Sequence, residues 1–197
     1  MQTHVEEYVN VMRSKENIEK GEILKTIQNA DSFTHKCIYA RQFLAPQSTD
    51  METIIKTDLE IGKAINNTSG DGSKNGINYE IKYSGHAKDS KLNFVQIRPD
   101  HTIDYYIFAG YNMHDGSKLG NGFVFKIPSH KVYELIPKYG GYAHGTIGKL
   151  GKITCNNIKG RQCEYALRCN PNTKKGKKKE LWDEFLKYKV DYKSENF

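Results

Sequence analysis

An aspartate at position 71 and a Glu80-Ile81-Lys82 triplet stand on either side of Asn75-Gly76. An Asn-Gly pair is the strongest short signal for a two-residue hairpin loop, because a type I′ turn needs two positive φ angles. With those residues as the turn, Lys74 pairs with Ile77, Ser73 with Asn78, Gly72 with Tyr79 and Asp71 with Glu80. Directly opposed residues of an antiparallel pair hold their Cβ atoms ~5 Å apart on one face. Lys82, two residues past Glu80, shares that face. Two adjacent carboxylates repel unless positive charge lies between them. A hard divalent cation meets that need, taking one or two carboxylates and filling its shell with water and phosphate oxygens. A neighbouring lysine can position an attacking water, help deprotonate it and stabilise charge developing on phosphorus. The cation lowers the pKa of that water and neutralises the leaving oxygen. These are the parts that phosphodiester hydrolysis requires.

An E-x-K triplet alone is common, and its bland reading is an exposed hairpin with surface Glu80 and Lys82. The aspartate at the register-matched position across the turn gives this triplet its weight. Gly70-x-Gly72 does not fit a dinucleotide-binding loop, which follows a strand and opens a helix; here an E-x-K strand follows.

The elements around the hairpin read as follows. Residues 3–45 are expected to be helical, with stripes at Val5, Val9 and Met12, at Ile18, Leu24 and Ile27, and at Phe33, Cys37, Ile38 and Phe43. A stronger helix is expected over 50–66, capped by Asp50, with Met51, Ile54, Ile55, Leu59, Gly62 and Ile65 on its apolar face. Strands follow over 77–84, 92–98, 103–111 and 122–127, then a helix from Pro128-Ser129 to about Pro137. Residues 138–152 are glycine-rich and read as a loop. Short strands near 152–155 and 163–168 and a last helix over 180–190 complete the chain. The pattern predicts a mixed α/β fold, a central mixed sheet flanked by helices, in one domain of 197 residues. Within it, 1–45 is a helical region, 50–137 the catalytic core and 138–197 a substrate-contacting region.

The formal net charge is +7 and the pI about 9.1, which favours a polyanionic partner. No run approaches the ~18 apolar residues of a membrane span, and residues 1–20 have no apolar signal core. The expectation is a cytoplasmic protein of a prokaryote or virus, with Cys37, Cys155, Cys163 and Cys169 as free thiols. Cys155, Cys163 and Cys169 form no CxxC pair, and a zinc site there would need a further ligand such as His130 or His144.

Asp71 followed by Glu80-Ile81-Lys82, in a helix–hairpin–strand–helix succession, resembles the PD-(D/E)xK nucleases, the superfamily of type II restriction endonucleases. The resemblance covers about residues 50–137 and departs from the pattern at Gly70, where the family name implies proline. It implies an αβββαβ core, with Asp71 and Glu80 as metal ligands and Lys82 as the catalytic lysine. Ile81 joins the metal-site positions through its place between the motif side chains. Glu60 stands in for the glutamate that many members supply from the preceding helix. The implied cofactor is Mg²⁺, with Mn²⁺ able to substitute. The implied activity is sequence-specific cleavage of double-stranded DNA leaving a 5′-phosphate. A palindromic target implies a homodimer, for which the N-terminal helices offer a surface, and a companion DNA methyltransferase acting separately.

DNA contacts are expected from Lys88, Lys91, Gln96 and Arg98, with Gln96 and Arg98 on one strand face, and from Tyr142, His144, Thr146 and Lys149 in the glycine-rich loop. The run Lys174, Lys175, Lys177, Lys178, Lys179 reads first as a solvated stretch, able to add nonspecific affinity. Three alternatives stand beside the restriction-enzyme expectation: a structure-specific repair or recombination nuclease of the same superfamily, a noncatalytic DNA-binding module, and a basic interaction protein with no nucleic-acid role.

Overall fold

The structure, a computed structural model, describes residues 6–7, 9–10, 13, 18–45, 49–85, 91–113, 119–143, 151–160 and 163–192. Among the described residues, 6–7, 9–10 and 13 are helical, and three helices with described bounds follow: α1 (Lys20–Gln28), α2 (Phe33–Phe43) and α3 (Asp50–Asp58). Then come β1 (Gly72–Lys74), β2 (Ile77–Ser84), β3 (Leu92–Ile97), β4 (Tyr105–Asn112) and β5 (Asn121–Pro128). The chain continues with α4 (Ser129–Tyr139), β6 (Gly141–Tyr142), β7 (Tyr165–Cys169) and α5 (Lys177–Leu186).

The central sheet has the order β1-β2-β4-β5. β1 runs antiparallel to β2 in the register set by the Asn75-Gly76 turn, with Gly72 opposite Tyr79 and Lys74 opposite Ile77. β2 pairs parallel with β4, and β4 antiparallel with β5. The mixed sheet flanked by helices is therefore as expected. Between α3 and α4, however, there are five strands, not the three of an αβββαβ succession. β3 leaves the central sheet altogether and pairs with β7 in a second sheet, β3-β7-β6. The reason is topological: parallel pairing of β2 and β4 demands a crossover, and β3 lies inside it.

Side-chain alternation divides the core in two. The odd-numbered residues Tyr79, Ile81, Ile107, Ala109 and Tyr111 face α1, α2 and α3, together with Ile27, Cys37, Met51 and Ile55. Tyr106, Phe108, Phe125 and Ile127 face β3, β7, α4 and α5. On that side the aromatic rings pile up: Phe108 lies 4.8 Å from Phe94 and 5.2 Å from Phe185, and Phe125 meets Trp182 edge-on. The N-terminal stripe residues Ile27, Phe33 and Cys37 are buried inside this chain.

α3 ends earlier than its apolar pattern predicts. Glu60 adopts φ +56, a left-handed C-terminal cap. The Ile61 N–H bonds back to the Lys56 carbonyl at 3.0 Å, and Ile61 is buried just past the cap. The helical stripe therefore breaks, and Ile65 is left 66% exposed. At the other end Asp50 is the first helical residue, not the cap. A buried ion pair holds α3 in place: Lys36 of α2 meets Asp58 at 3.0 Å, Asp58 accepts from the Tyr192 hydroxyl at 2.6 Å, and Lys36 also donates to the Ile27 carbonyl at 3.1 Å, ending α1. The expected strand at 152–155 is a turn, with Asn157 bonding to Thr154 N–H and Lys152 C=O. Among the described residues no helix is long and apolar enough to cross a membrane.

Candidate active site

β1 stops at Gly72, while β2 runs on to Ser84. Past Tyr79 the edge of β2 on the β1 side thus has no strand partner among the described residues, and its backbone groups need other acceptors. Two carboxylates supply them. The Asp71 N–H donates to the Tyr79 carbonyl at 2.8 Å, so the chain leaves the ladder there, and Asp71 Oδ2 accepts from Ile81 N–H at 2.7 Å. Further along, Glu52 Oε1 of α3 accepts from Tyr83 N–H at 3.2 Å. By strand alternation the Ile81 carbonyl points to this same edge, between the two carboxylates.

The even side chains of β2 complete the cluster. Glu80 and Lys82 are both buried, and Lys82 Nζ lies 2.6 Å from Glu80 Oε1. Lys56, one turn after Glu52, donates to the Asp71 carbonyl. Thr49, Glu52, Thr53, Lys56 and Asp71 line an open cleft at this point.

Charge is unevenly balanced here. Burial raises the Glu80 carboxyl above the usual carboxylate range; Lys82 opposes this and Asp71 adds to it. Burial also raises Glu52, again opposed by Lys82 and reinforced by Asp71 and Glu80. Burial alone would lower the Lys82 ammonium, but Glu80, Asp71 and Glu52 outweigh it and the group is raised. Three carboxylates, Glu52, Asp71 and Glu80, thus share this edge with the ammoniums of Lys82 and Lys56, and ionised they leave a net negative charge in a mostly buried site. A bound cation would offset that charge. Among the described residues no three His, Cys, Asp or Glu side chains converge as a complete metal cage. Of the groups at this edge, Asp71, Glu80 and the Ile81 carbonyl are those that could serve as ligands to a cation keeping most of its water shell, as Mg²⁺ does.

No known protein family, curated protein or solved structure matches this chain.

Asp71, Glu80, Ile81 and Lys82 lie near one another, but Asp71 does not pair with Glu80 across the hairpin: the ladder ends at Gly72 opposite Tyr79, and Asp71 reaches the edge through its side chain on Ile81 N–H. Glu60 is corrected: its carboxylate is 83% exposed and pairs with Lys74 at 3.5 Å. The helix glutamate that shares charge with Asp71, Glu80 and Lys82 is Glu52, which sequence reasoning missed. Its signal was present: Glu52 follows buried Met51 at the border of the apolar face, with Lys56 one turn further on.

The proline position of the motif is settled by backbone. Gly70 has φ +72, which proline, fixed near −65°, cannot adopt. A Cβ at Gly70 would lie 2.5 Å from the Tyr79 carbonyl oxygen.

The expected DNA contacts fare unevenly. Gln96 has φ +58 within a bulge between Phe94 and Ile97. The bulge breaks the two-residue period, so Gln96 is exposed and does not share a face with Arg98. Arg98 turns to Glu164, with Nε at 2.9 Å and Nη2 at 2.5 Å, and its charge lowers the Glu80 carboxyl. Lys91 is half-buried just before β3. Tyr142 is corrected: it is 7% exposed, stacks on Tyr165 at 5.5 Å and donates its hydroxyl proton to the Gly151 carbonyl. Its place is in the core. Lys88, His144, Thr146 and Lys149 lie outside the described residues. Of the cysteines named as zinc candidates, Cys163 and Cys169 are buried and Cys155 is exposed; burial lifts the Cys169 thiol to about 12.

Proposed function

We propose that this chain is a Mg²⁺-dependent DNA endonuclease of the restriction type, hydrolysing phosphodiester bonds at the edge of β2. The observation that carries the reading is the convergence of Asp71, Glu80 and Lys82, joined by Glu52, on a strand edge that no strand among the described residues covers. A bound divalent cation would activate water and neutralise the leaving oxygen.

The protein's own residues have distinct tasks. Asp71 and Glu80 present carboxylate oxygens from two sides of the hairpin. Lys82 holds its proton firmly because three carboxylates face it. It is thereby suited to position a phosphate oxygen and to stabilise charge there, and less suited to accept a proton until those carboxylates are neutralised. Glu52 ties the helix α3 to β2 and adds the third negative charge. Arg98, whose charge acts on Glu80 while its guanidinium pairs with Glu164, is one described cation that could meet a phosphate next to the scissile one, and Lys56 in the cleft is another. The net charge of +7 favours the polyanionic substrate.

Digestion of plasmid and phage DNA with Mg²⁺, comparing wild type with Asp71→Ala and Lys82→Ala, tests the reading. Discrete fragments, lost in both variants, support a site-specific enzyme. Cleavage confined to branched or damaged substrates would move the reading to a repair or recombination nuclease. Salt-sensitive binding without cleavage by any form would leave a noncatalytic DNA-binding module.

A further inference from the structure

The run of lysines before and within the first turn of α5 is held as part of the folded surface. The side chains of Asn112, at the end of β4, and Asn172 exchange two hydrogen bonds, of 3.0 and 3.1 Å, and Asn112 is buried. Asn170 donates its N–H to the Lys178 carbonyl at 3.1 Å and accepts from Asn172 N–H at 2.9 Å. Leu181, Trp182 and Phe185 then bury α5 in the core. A turn pinned in this way holds the backbone that carries the lysines in one place on the surface.

Those side chains carry unbalanced charge. Lys179 pairs with Asp183, Lys131 with Glu134 and Lys187 with Glu184. Lys174, Lys175, Lys177 and Lys178 are exposed, and no carboxylate partner is found for them among the described residues. Lys177 and Lys178 moreover occupy the first turn of a helix, where the positive end of the dipole disfavours cations. Gly176 before them offers no capping side chain. Such an arrangement weakens the free protein, and a dense polyanion would relieve it.

The position fits the candidate active site. Lys82 pairs in register with Phe108, and Asn112 lies four residues further along β4, an offset of about 13 Å. α5 packs on the same face of the central sheet as Glu80 and Lys82. A DNA duplex carries one phosphate charge per ~1.7 Å of axis, so an offset of that size spans several phosphates of one bound duplex.

We propose that Lys174, Lys175, Lys177 and Lys178 form a fixed rail for the phosphate backbone of duplex DNA, contacting it beside the bond that is cut. The inference rests on the nuclease reading for its substrate. It adds a second contact surface that reads no sequence and sets affinity.

The test is binding of a 30-base-pair duplex by the full chain without Mg²⁺, across a salt series, for wild type and a variant with all four lysines changed to Gln. The expected result is weaker binding to specific and random duplexes alike, with the slope of log affinity against log salt reduced by about 2–4. The same variant should melt no lower than wild type, which separates a lost contact from a lost fold. An unchanged slope with tight wild-type binding would overturn the rail and leave the nuclease reading standing. Unchanged DNA binding with lost binding to phosphatidylserine vesicles would assign the patch to a membrane surface instead. A wild type that binds no duplex at any salt would overturn both.

Discussion

The carboxylate of Asp71 accepts a 2.7 Å hydrogen bond from the backbone N–H of Ile81, so one side chain both ends a β-ladder and faces the candidate cation site. Glu52 does the same for Tyr83 N–H one step further along the strand. The site is therefore built into the edge of the sheet.

From this follows a split between two substitutions at one position. Asp71→Asn keeps an oxygen to accept from Ile81 N–H, and Asp71→Ala leaves that amide without its partner. We expect Asp71→Ala to lose about 1–3 kcal/mol of stability by urea denaturation and Asp71→Asn to lose much less. Both should abolish cleavage. Equal stability for the two would show that the hydrogen bond contributes nothing.

The surplus negative charge predicts a pH dependence. Glu52 and Glu80 have carboxyls raised by burial, so the folded chain holds their protons more tightly than the unfolded chain. The stability they contribute is fully present below the ordinary glutamate pKa of ~4.3 and is lost as pH rises through their raised folded values. In EDTA, Glu52→Gln or Glu80→Gln should therefore flatten the decline of Tm above that range and raise Tm at pH 7. Mg²⁺ should raise the wild-type Tm and lose that effect in Glu80→Gln. A wild-type Tm that does not respond to Mg²⁺ or to these substitutions would contradict the charge balance drawn for the site.

Gly70 offers a backbone test. Gly70→Ala places a Cβ against the Tyr79 carbonyl at a positive φ, at an expected cost of about 1–3 kcal/mol. Gly70→Pro, which restores the residue named in the motif, should be worse, because proline cannot reach φ +72. Denaturant midpoints for the two variants decide this, and a proline variant as stable as wild type would refute the backbone assignment.

Asp58 provides a test remote from the chemistry. Asp58→Ala leaves the Lys36 ammonium buried without its carboxylate, at a cost of about 3–5 kcal/mol. Lys36→Met with Asp58→Leu should recover most of that stability. A single variant of wild-type stability would mean that the pair is dispensable.

The parts of this account that the sequence made legible are those set by neighbours in the chain. Asn75-Gly76 fixed the register of β1 on β2 because turn geometry and pairing are local. Strands β2, β4 and β5 showed in their alternation or apolar runs for the same reason. Glu52 was missed because the end of α3 is decided elsewhere: a glutamate accepts the left-handed cap at position 60, where glycine is usual, and Ile61 is buried behind it. With the helix drawn on to residue 66, Glu60 looked equivalent to any other helical glutamate. Gln96 was misplaced by a bulge that no residue type announces, and Tyr142 by a two-residue strand whose partner, Tyr165, is 23 positions away in the sequence. The exchange of β3 into a second sheet is a topological outcome of the same kind.

The most direct test of the central claim is single-turnover cleavage of supercoiled plasmid at pH 7.5 with Mg²⁺, using folded variants that change charge and little else: Asp71→Asn, Glu80→Gln and Lys82→Met. The account predicts Mg²⁺-dependent cleavage by wild type, abolished by EDTA, and a loss of about a thousandfold or more in each variant. Cleavage by all three variants within tenfold of wild type would place the chemistry elsewhere in the molecule and contradict the account.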